Sequence, residues 1–225
     1  MQATNDAVIR NLLIPFVRNE HSGAPDTIYV PEFALYGGAN RADYAALNGE
    51  SHGYEIKSDR DTLVRLPEQA DAYSAVFERA TLVSAIRHLS EARKIIPSWW
   101  GIIEVRGELD LRLQRVRESL PNPAPCSHAI ACLLWRPEAL RILTNLGLDK
   151  GVRTKPMDHL IERLAAELPA ERLARYVREA LRARGDWRSA ARLRQYDAKP
   201  RSRATRSSSR QTDAENNRQL SCLPN

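Results

Sequence analysis

A chain of 225 residues, 43% hydrophobic and 28% charged, has room for one moderate domain with an appendage or for two small domains, and its balance is that of an ordinary soluble protein. No apolar run approaches the roughly 20 residues that a membrane-spanning helix needs, and the N-terminus lacks a basic stretch followed by a continuous apolar core, so neither a span nor a signal peptide is expected. The net charge of +6 sits at the C-terminal end, where eight arginines between Arg172 and Arg194 face only Glu179 and Asp186. Such a run suits a polyanionic partner or simply a well-solvated helix.

The first predicted element is an amphipathic helix in "MQATNDAVIRNLLIPFVRNE" that buries Val8, Leu12, Leu13 and Phe16, with Thr4 as cap and Pro15 kinking or ending it. "HSGAPD" is a loop. "TIYVPEFALYGGANRADYAALNG" follows as two strands around the turn signal Gly37-Gly38. "GYEIKS" is a short strand entering the polar turn "SDRD", with His52 placed in a turn before it. "LPEQADAYSAVFERA" is a helix with Pro67 in its first turn. "TLVSAI" is a buried strand, "HLSEARKII" a short helix and "SWWGIIEV" another apolar strand. Of the two tryptophans that begin it, one belongs in the core and the other is placed outside for stacking. "ELDLRLQRV" alternates leucines with polar residues and makes a half-buried strand.

Residues 1–118 therefore form an α/β unit with a mixed sheet. "LPNPAPCS" gives a proline-rich linker at 119–126, residues 127–196 are helical, and 197–225 form a basic, disordered tail. Cys126, Cys132 and Cys222 include no C-x-x-C pair, are too few for a four-thiolate iron–sulfur cluster, and by their odd number argue against a disulfide framework. The five histidines are dispersed without zinc-ligand spacing, and His88, His128 and His159 read as packed or surface residues. A reducing cytoplasm is the expected compartment.

The residues with chemistry lie between 32 and 73. With Gly37-Gly38 as the turn, the hairpin register sets Glu32 opposite Asp43, and facing carboxylates are destabilising unless a cation lies between them or the register slips. Glu55 and Lys57 are two apart in a strand, so both line one face while Ile56 takes the other. If the Asp43 strand lies beside them, three carboxylates and one lysine converge. Such oxygens suit Mg²⁺ or Mn²⁺, which bind through one or two carboxylates, waters and a substrate phosphate. A plain strand-end ion pair is the alternative. Gln69 and Tyr73 are four apart on the next helix and share a face.

In this order the run "RADYAALNGESHGYEIKSDRDTLVRLPEQADAY" resembles the PD-(D/E)XK nuclease superfamily, and more closely a small bacterial family within its RecB-like branch. Asp43 matches the first acidic position, Glu55 and Lys57 the E-x-K, and Gln69 with Tyr73 the Q-x-x-x-Y. Glu32 matches an acidic residue often found upstream. Ala42 stands where the superfamily pattern has proline, and the cysteine clusters of the Cas4-like members are missing. The resemblance covers residues 1 to about 105 and implies a restriction-endonuclease-like αβββαβ core followed by a helical C-terminal region.

It also implies a metal-dependent nuclease that hydrolyses phosphodiester bonds, with DNA as the expected substrate and no membrane partner. Asp43, Glu55 and the Ile56 carbonyl would hold Mg²⁺ or Mn²⁺, with Glu32 completing the acidic set. Lys57 would position or activate water, and Gln69 and Tyr73 would orient site or substrate. Asp59, Arg60, Asp61 and Arg65 are either substrate contacts or a charged helix entrance. Two other readings stay open: a non-catalytic nucleic-acid-binding or regulatory protein that keeps the fold, and a protein-partner module whose acidic pocket is incidental.

Overall fold

Helix α1 (Asp6–Glu20) begins at Asn5, whose side chain accepts the Val8 N–H at 3.0 Å, so Asn5 and not Thr4 is the cap. The helix runs on through Pro15 instead of ending there. Its buried stripe is Ile9, Leu13 and Val17, while Val8 is exposed and Leu12 and Phe16 are half-buried. Apolar residues at positions 8, 9, 12, 13, 14, 16 and 17 allow two stripes that share Leu13, and the sheet selects the one spaced by four. The computed structural model describes residues 4–107 and 110–185, so the expectation of a disordered tail and the far half of the basic run lie outside the described residues.

Strands β1 (Ile28–Leu35) and β2 (Asn40–Leu47) form the predicted hairpin, in the register that the glycine turn dictates: Leu35 pairs Asn40 and Phe33 pairs Ala42. The turn itself, Tyr36–Gly38, requires positive φ at Gly37 (67°) and Gly38 (106°), and Tyr36 joins them at 47°. Strand β3 (Ser51–Lys57) pairs antiparallel with β2. Helix α2 (Leu66–Val76) then crosses over to β4 (Arg79–Ala85), parallel to β3. Helix α3 (Ile86–Ile95) crosses to β5 (Gly101–Arg106), parallel again, and β6 (Arg112–Arg117) closes the sheet antiparallel. The six strands lie in chain order, and the opening elements follow the expected αβββαβ sequence with a mixed sheet.

The sheet is covered on both faces, which is why every residue of β3 is buried. Under α1, Ile9, Leu13 and Val17 pack with Tyr44, Tyr54, Ile56, Val83 and Ile103. The opposite face carries α2 and α3 and a larger core that includes Phe33, Leu47, Tyr73, Phe77 and Trp100. Trp99 and Trp100 are both buried, so neither is the exposed stacking residue expected from the sequence. His52 is likewise in β3 and buried, not in a turn.

The helical region consists of α4 (Ser127–Ala131), α5 (Arg136–Asn145), α6 (Met157–Glu167) and α7 (Ala170–Ala183). Its Leu133, Leu160, Leu173, Val177 and Leu181 belong to the same core as Phe33 and Phe77. The proline-rich segment 119–126 is held in place along its length. Leu120 N–H donates to Trp99 O at 2.8 Å, Asn122 Nδ2 donates to Ser74 O and Phe77 O at 2.6 and 2.8 Å, and Cys126 N–H donates to Ala75 O at 2.9 Å. Cys132 is a free thiol. Among the described residues no helix is long and apolar enough to cross a membrane.

Candidate functional site

The alternation of β3 sorts its side chains. Tyr54 and Ile56 go under α1, while Glu55 and Lys57 face α2. Lys57 Nζ donates to Glu55 Oε1 at 2.6 Å and to Gln69 Oε1 at 2.7 Å. Tyr73, one helical turn after Gln69, donates its hydroxyl to Glu55 Oε2 at 2.7 Å, and the same oxygen lies 3.1 Å from Tyr54 O. The Asp43 N–H donates back to Tyr73 Oη at 3.2 Å, and the Ile56 N–H donates to Asp43 Oδ2 at 2.8 Å. Asp43, Glu55, Ile56, Lys57, Gln69 and Tyr73 are thus one hydrogen-bonded constellation, as their order in the chain suggests.

The ladder explains why Asp43 is available. Regular β2–β3 pairing runs from Leu47–Ser51 to Tyr44–Tyr54, and the next pair in that register would be Asp43 with Glu55. There the Asp43 N–H turns to Tyr73 and its carboxylate takes the N–H of Ile56. On the other side of β2, regular β1 pairing skips Glu32–Asp43, and Glu32 adopts a φ of 53°. Such a φ is uncommon for a residue with a side chain.

Glu32 meets the site through a cation. Arg10 of α1 places Nη2 2.8 Å from Glu32 Oε1, 3.1 Å from Asp6 Oδ2 and 3.4 Å from Asp43 Oδ1, while its Nη1 donates to the Asp43 carbonyl at 2.8 Å. Glu32 also lies 3.6 Å from Arg41. The expected convergence of three carboxylates is therefore two, Asp43 and Glu55, with Glu32 joined by a guanidinium. Arg10 is the site residue that sequence reasoning missed. Its only local signal is the Asp6–Arg10 spacing, which marks a helix pair and says nothing of a reach to β2.

Electrostatics follow the same outline. Burial and the neighbouring Glu55 push the Asp43 carboxyl up to about 7, against smaller opposing effects of the Ile56 N–H and Arg10. Burial raises Glu55 as well, opposed by Lys57 and by the Tyr73 hydroxyl. Burial, and then Glu55 and Asp43, hold the Tyr73 phenol well above its ordinary range, so it stays a donor. Lys57 serves Glu55, whereas the one guanidinium of Arg10 is shared among Asp43, Glu32 and Asp6. Among the described residues no three His, Cys, Asp or Glu side chains gather as a ready metal cage. Two hard carboxylates nevertheless fit Mg²⁺ or Mn²⁺, which take one or two carboxylates and complete their shell with water.

The loop between Lys57 and α2 resolves the remaining charges. Asp59 accepts Thr4 N–H and Thr4 Oγ1 at 2.9 and 2.7 Å, which ties the start of the chain to the site. Asp61 accepts Ser58 N–H and Oγ at 2.7 and 2.5 Å and so shapes the turn. Both acids serve the fold, while Arg60, Arg65 and Arg87 remain exposed around the loop. His88 packs against Ser58 O at 3.0 Å. His52 belongs to a separate chain of hydrogen bonds under α1, with Thr81 at 2.8 Å and Tyr54 at 3.2 Å, and burial keeps it neutral by lowering it well below its ordinary range. On α7, Arg178 pairs Glu78 and Arg182 pairs Asp26, and just past its end Arg184 pairs Glu138, so within the described part of the basic run three arginines serve structure.

The family model of bacteriophage P4 protein cII matches residues 1–209. Protein cII of Enterobacteria phage P4 is 37% identical over 79 residues, 35% of this chain and 30% of the phage protein, so the match spans under a third of that relative. Among solved structures, a protein of unknown function from Silicibacter pomeroyi aligns over 65% of this chain and 96% of its own, with 19% identity and a TM-score of 0.37.

Proposed function

Starting from a chain that belongs to the bacteriophage P4 protein cII family, we propose that it is a metal-dependent nuclease of the PD-(D/E)XK type that hydrolyses phosphodiester bonds in DNA, acting in the cytoplasm. The observation that carries this reading is the single network joining Asp43, Glu55, Lys57, Gln69 and Tyr73. A surface accident would not bury Glu55, Lys57 and Tyr73 and satisfy each one within the set.

Mg²⁺ or Mn²⁺ held by Asp43, Glu55 and the Ile56 carbonyl would acidify a water and offset charge on the phosphate. The chain's own groups do the rest. Lys57 has three N–H donors and gives two of them to Glu55 and Gln69, which leaves one for a water or a phosphate oxygen. An ammonium only donates, so it fixes the Gln69 amide with oxygen inward and the NH₂ group left for substrate. Tyr73 holds Glu55 in place from beneath. The exposed Arg60, Arg65 and Arg87 offer sequence-independent contacts to backbone phosphates.

A second reading, a non-catalytic nucleic-acid-binding or regulatory protein, has one observation in its favour. The Asp43 and Glu55 carboxylates already hold internal donors, so the network is complete as a structural element. Plasmid cleavage with Mg²⁺, Mn²⁺ or EDTA, comparing wild type with Asp43→Ala and Lys57→Ala, separates the two. Cation-dependent cleavage lost in both variants supports the nuclease, and equal activity in all three proteins removes these residues from any catalytic role. Calorimetric Mg²⁺ or Mn²⁺ binding that does not depend on Glu55 favours the binder.

A further inference from the structure

We propose that Arg10 is the internal counter-cation of the acidic site, holding Asp43 in its place until a divalent ion takes over that charge. The proposal rests on the metal reading above, but it concerns a residue of α1 outside the E-x-K and Q-x-x-x-Y pattern. Arg10 reaches 33 positions along the chain to β2, where it bonds the Asp43 carbonyl at 2.8 Å and approaches the carboxylate at 3.4 Å. The same Nη2 lies 2.8 Å from Glu32 and 3.1 Å from Asp6. One guanidinium therefore faces three carboxylates, with its side chain only 20% exposed.

The contacts differ in kind. Those to the Asp43 carbonyl and to Glu32 are short, and they hold β1 and β2 together where the regular ladder skips the Glu32–Asp43 pair. The contact to Asp43 Oδ1 is the longest of the four and is made to the one acid whose backbone N–H joins the Tyr73–Glu55–Lys57 network and whose carboxylate takes the Ile56 N–H. A cation that takes Asp43 as ligand competes with Arg10 for that carboxylate. Arg10 can give up this contact and remain anchored by Glu32, Asp6 and the carbonyl. Arg10 is thus a positioning residue: it keeps two facing carboxylates assembled without a metal, and it weakens the metal's hold by the charge it contributes.

The test compares full-length wild type, Arg10→Gln and Arg10→Met, each stripped of metal, by calorimetric titration with Mg²⁺ and by thermal unfolding with and without Mg²⁺. Arg10→Gln should bind Mg²⁺ about tenfold more tightly, a usual size for coupling between neighbouring sites. It should melt below wild type without metal and gain more from Mg²⁺ than wild type does. A lower melting point that Mg²⁺ does not restore, with unchanged or weaker binding beside a wild type that binds, overturns the counter-cation role and leaves the metal reading standing. No binding in any of the three proteins overturns both. Should Arg10→Gln fail to fold, Arg10→Met decides by the same comparison, because it also removes the charge while keeping the apolar stem, and binding tighter than wild type supports the role while equal or weaker binding overturns it.

Discussion

Tyr73 and Glu55 are joined by a 2.7 Å hydrogen bond inside a fully buried contact, with the tyrosine as donor. The same phenolic oxygen accepts the Asp43 N–H at 3.2 Å. One atom of α2 therefore fixes residues on both β2 and β3. Tyr73→Phe keeps the ring against Trp100 and Phe77 but leaves a buried carboxylate oxygen and a backbone N–H without that partner. We expect a loss of about 1–3 kcal/mol in urea unfolding with the fold retained. Cleavage activity, where present, should fall with it. An unchanged midpoint would mean that water replaces the hydroxyl.

Lys57 and Glu55 form a pair whose side chains are 8% and 1% exposed. Removing one partner strands the other, so Lys57→Met should destabilise by about 3 kcal/mol, whereas adding Glu55→Gln should recover part of that loss. Chemical denaturation of the two single variants and the double variant forms the cycle. Additive effects would show that the pair is not coupled.

Without metal, stability should fall as the solution becomes more basic. Asp43 stands at about 7 when folded against an ordinary 3.8, so the folded state binds its proton more tightly than the unfolded state. The favourable contribution is complete below 3.8 and disappears as pH rises through about 7. Glu55 is shifted in the same direction. Urea midpoints for wild type and Asp43→Asn between pH 5 and 8 should diverge, with the wild type losing ground. Parallel curves would contradict the raised value.

Gly53 of β3 leaves no room for a side chain, because a Cβ there would stand 2.5 Å from the Phe77 ring. Phe77 is completely buried and cannot swing aside. Gly53→Ala should therefore cost about 1–3 kcal/mol by overpacking and lower the melting temperature. A neutral result would place Phe77 in a looser core than described.

The shared core makes a further expectation. Far-ultraviolet circular dichroism and tryptophan fluorescence should report one coincident unfolding transition, since Trp99 and Trp100 precede the 119–126 segment, Trp135 follows it, and the core runs through both regions. Two separated transitions would restore the division at the proline-rich segment.

Local chemistry is what the sequence made readable. The Gly37-Gly38 turn fixes the hairpin register, and with it every β1–β2 partner, because a slip of one residue would turn Phe33 and Leu35 to the wrong face. Spacing by two placed Glu55 beside Lys57, and spacing by four placed Gln69 above Tyr73. What escaped depends on contacts between distant segments. His52 looks like a turn residue beside Gly53, and only the docking of α1 and the neighbouring Thr81 make it a buried strand residue. Arg10 lies beside the buried stripe of α1 and carries no mark of its target on β2. The proline-rich segment has the composition of a linker, yet Asn122 and the carbonyls of Ser74, Ala75 and Phe77 make it a strap.

Glu78 receives the Ser51 N–H and hydroxyl from the start of β3 and is paired with Arg178 on α7. Val177 and Leu181 of that helix cover Phe33, Leu47 and Phe77. During synthesis, then, the sheet leaves the ribosome with an oily face uncovered until α7 follows about a hundred residues later, roughly 5–20 s at the usual pace of translation. A nascent chain stalled in that interval would be a natural client for a chaperone, and early termination would yield a sticky fragment in place of a smaller folded domain.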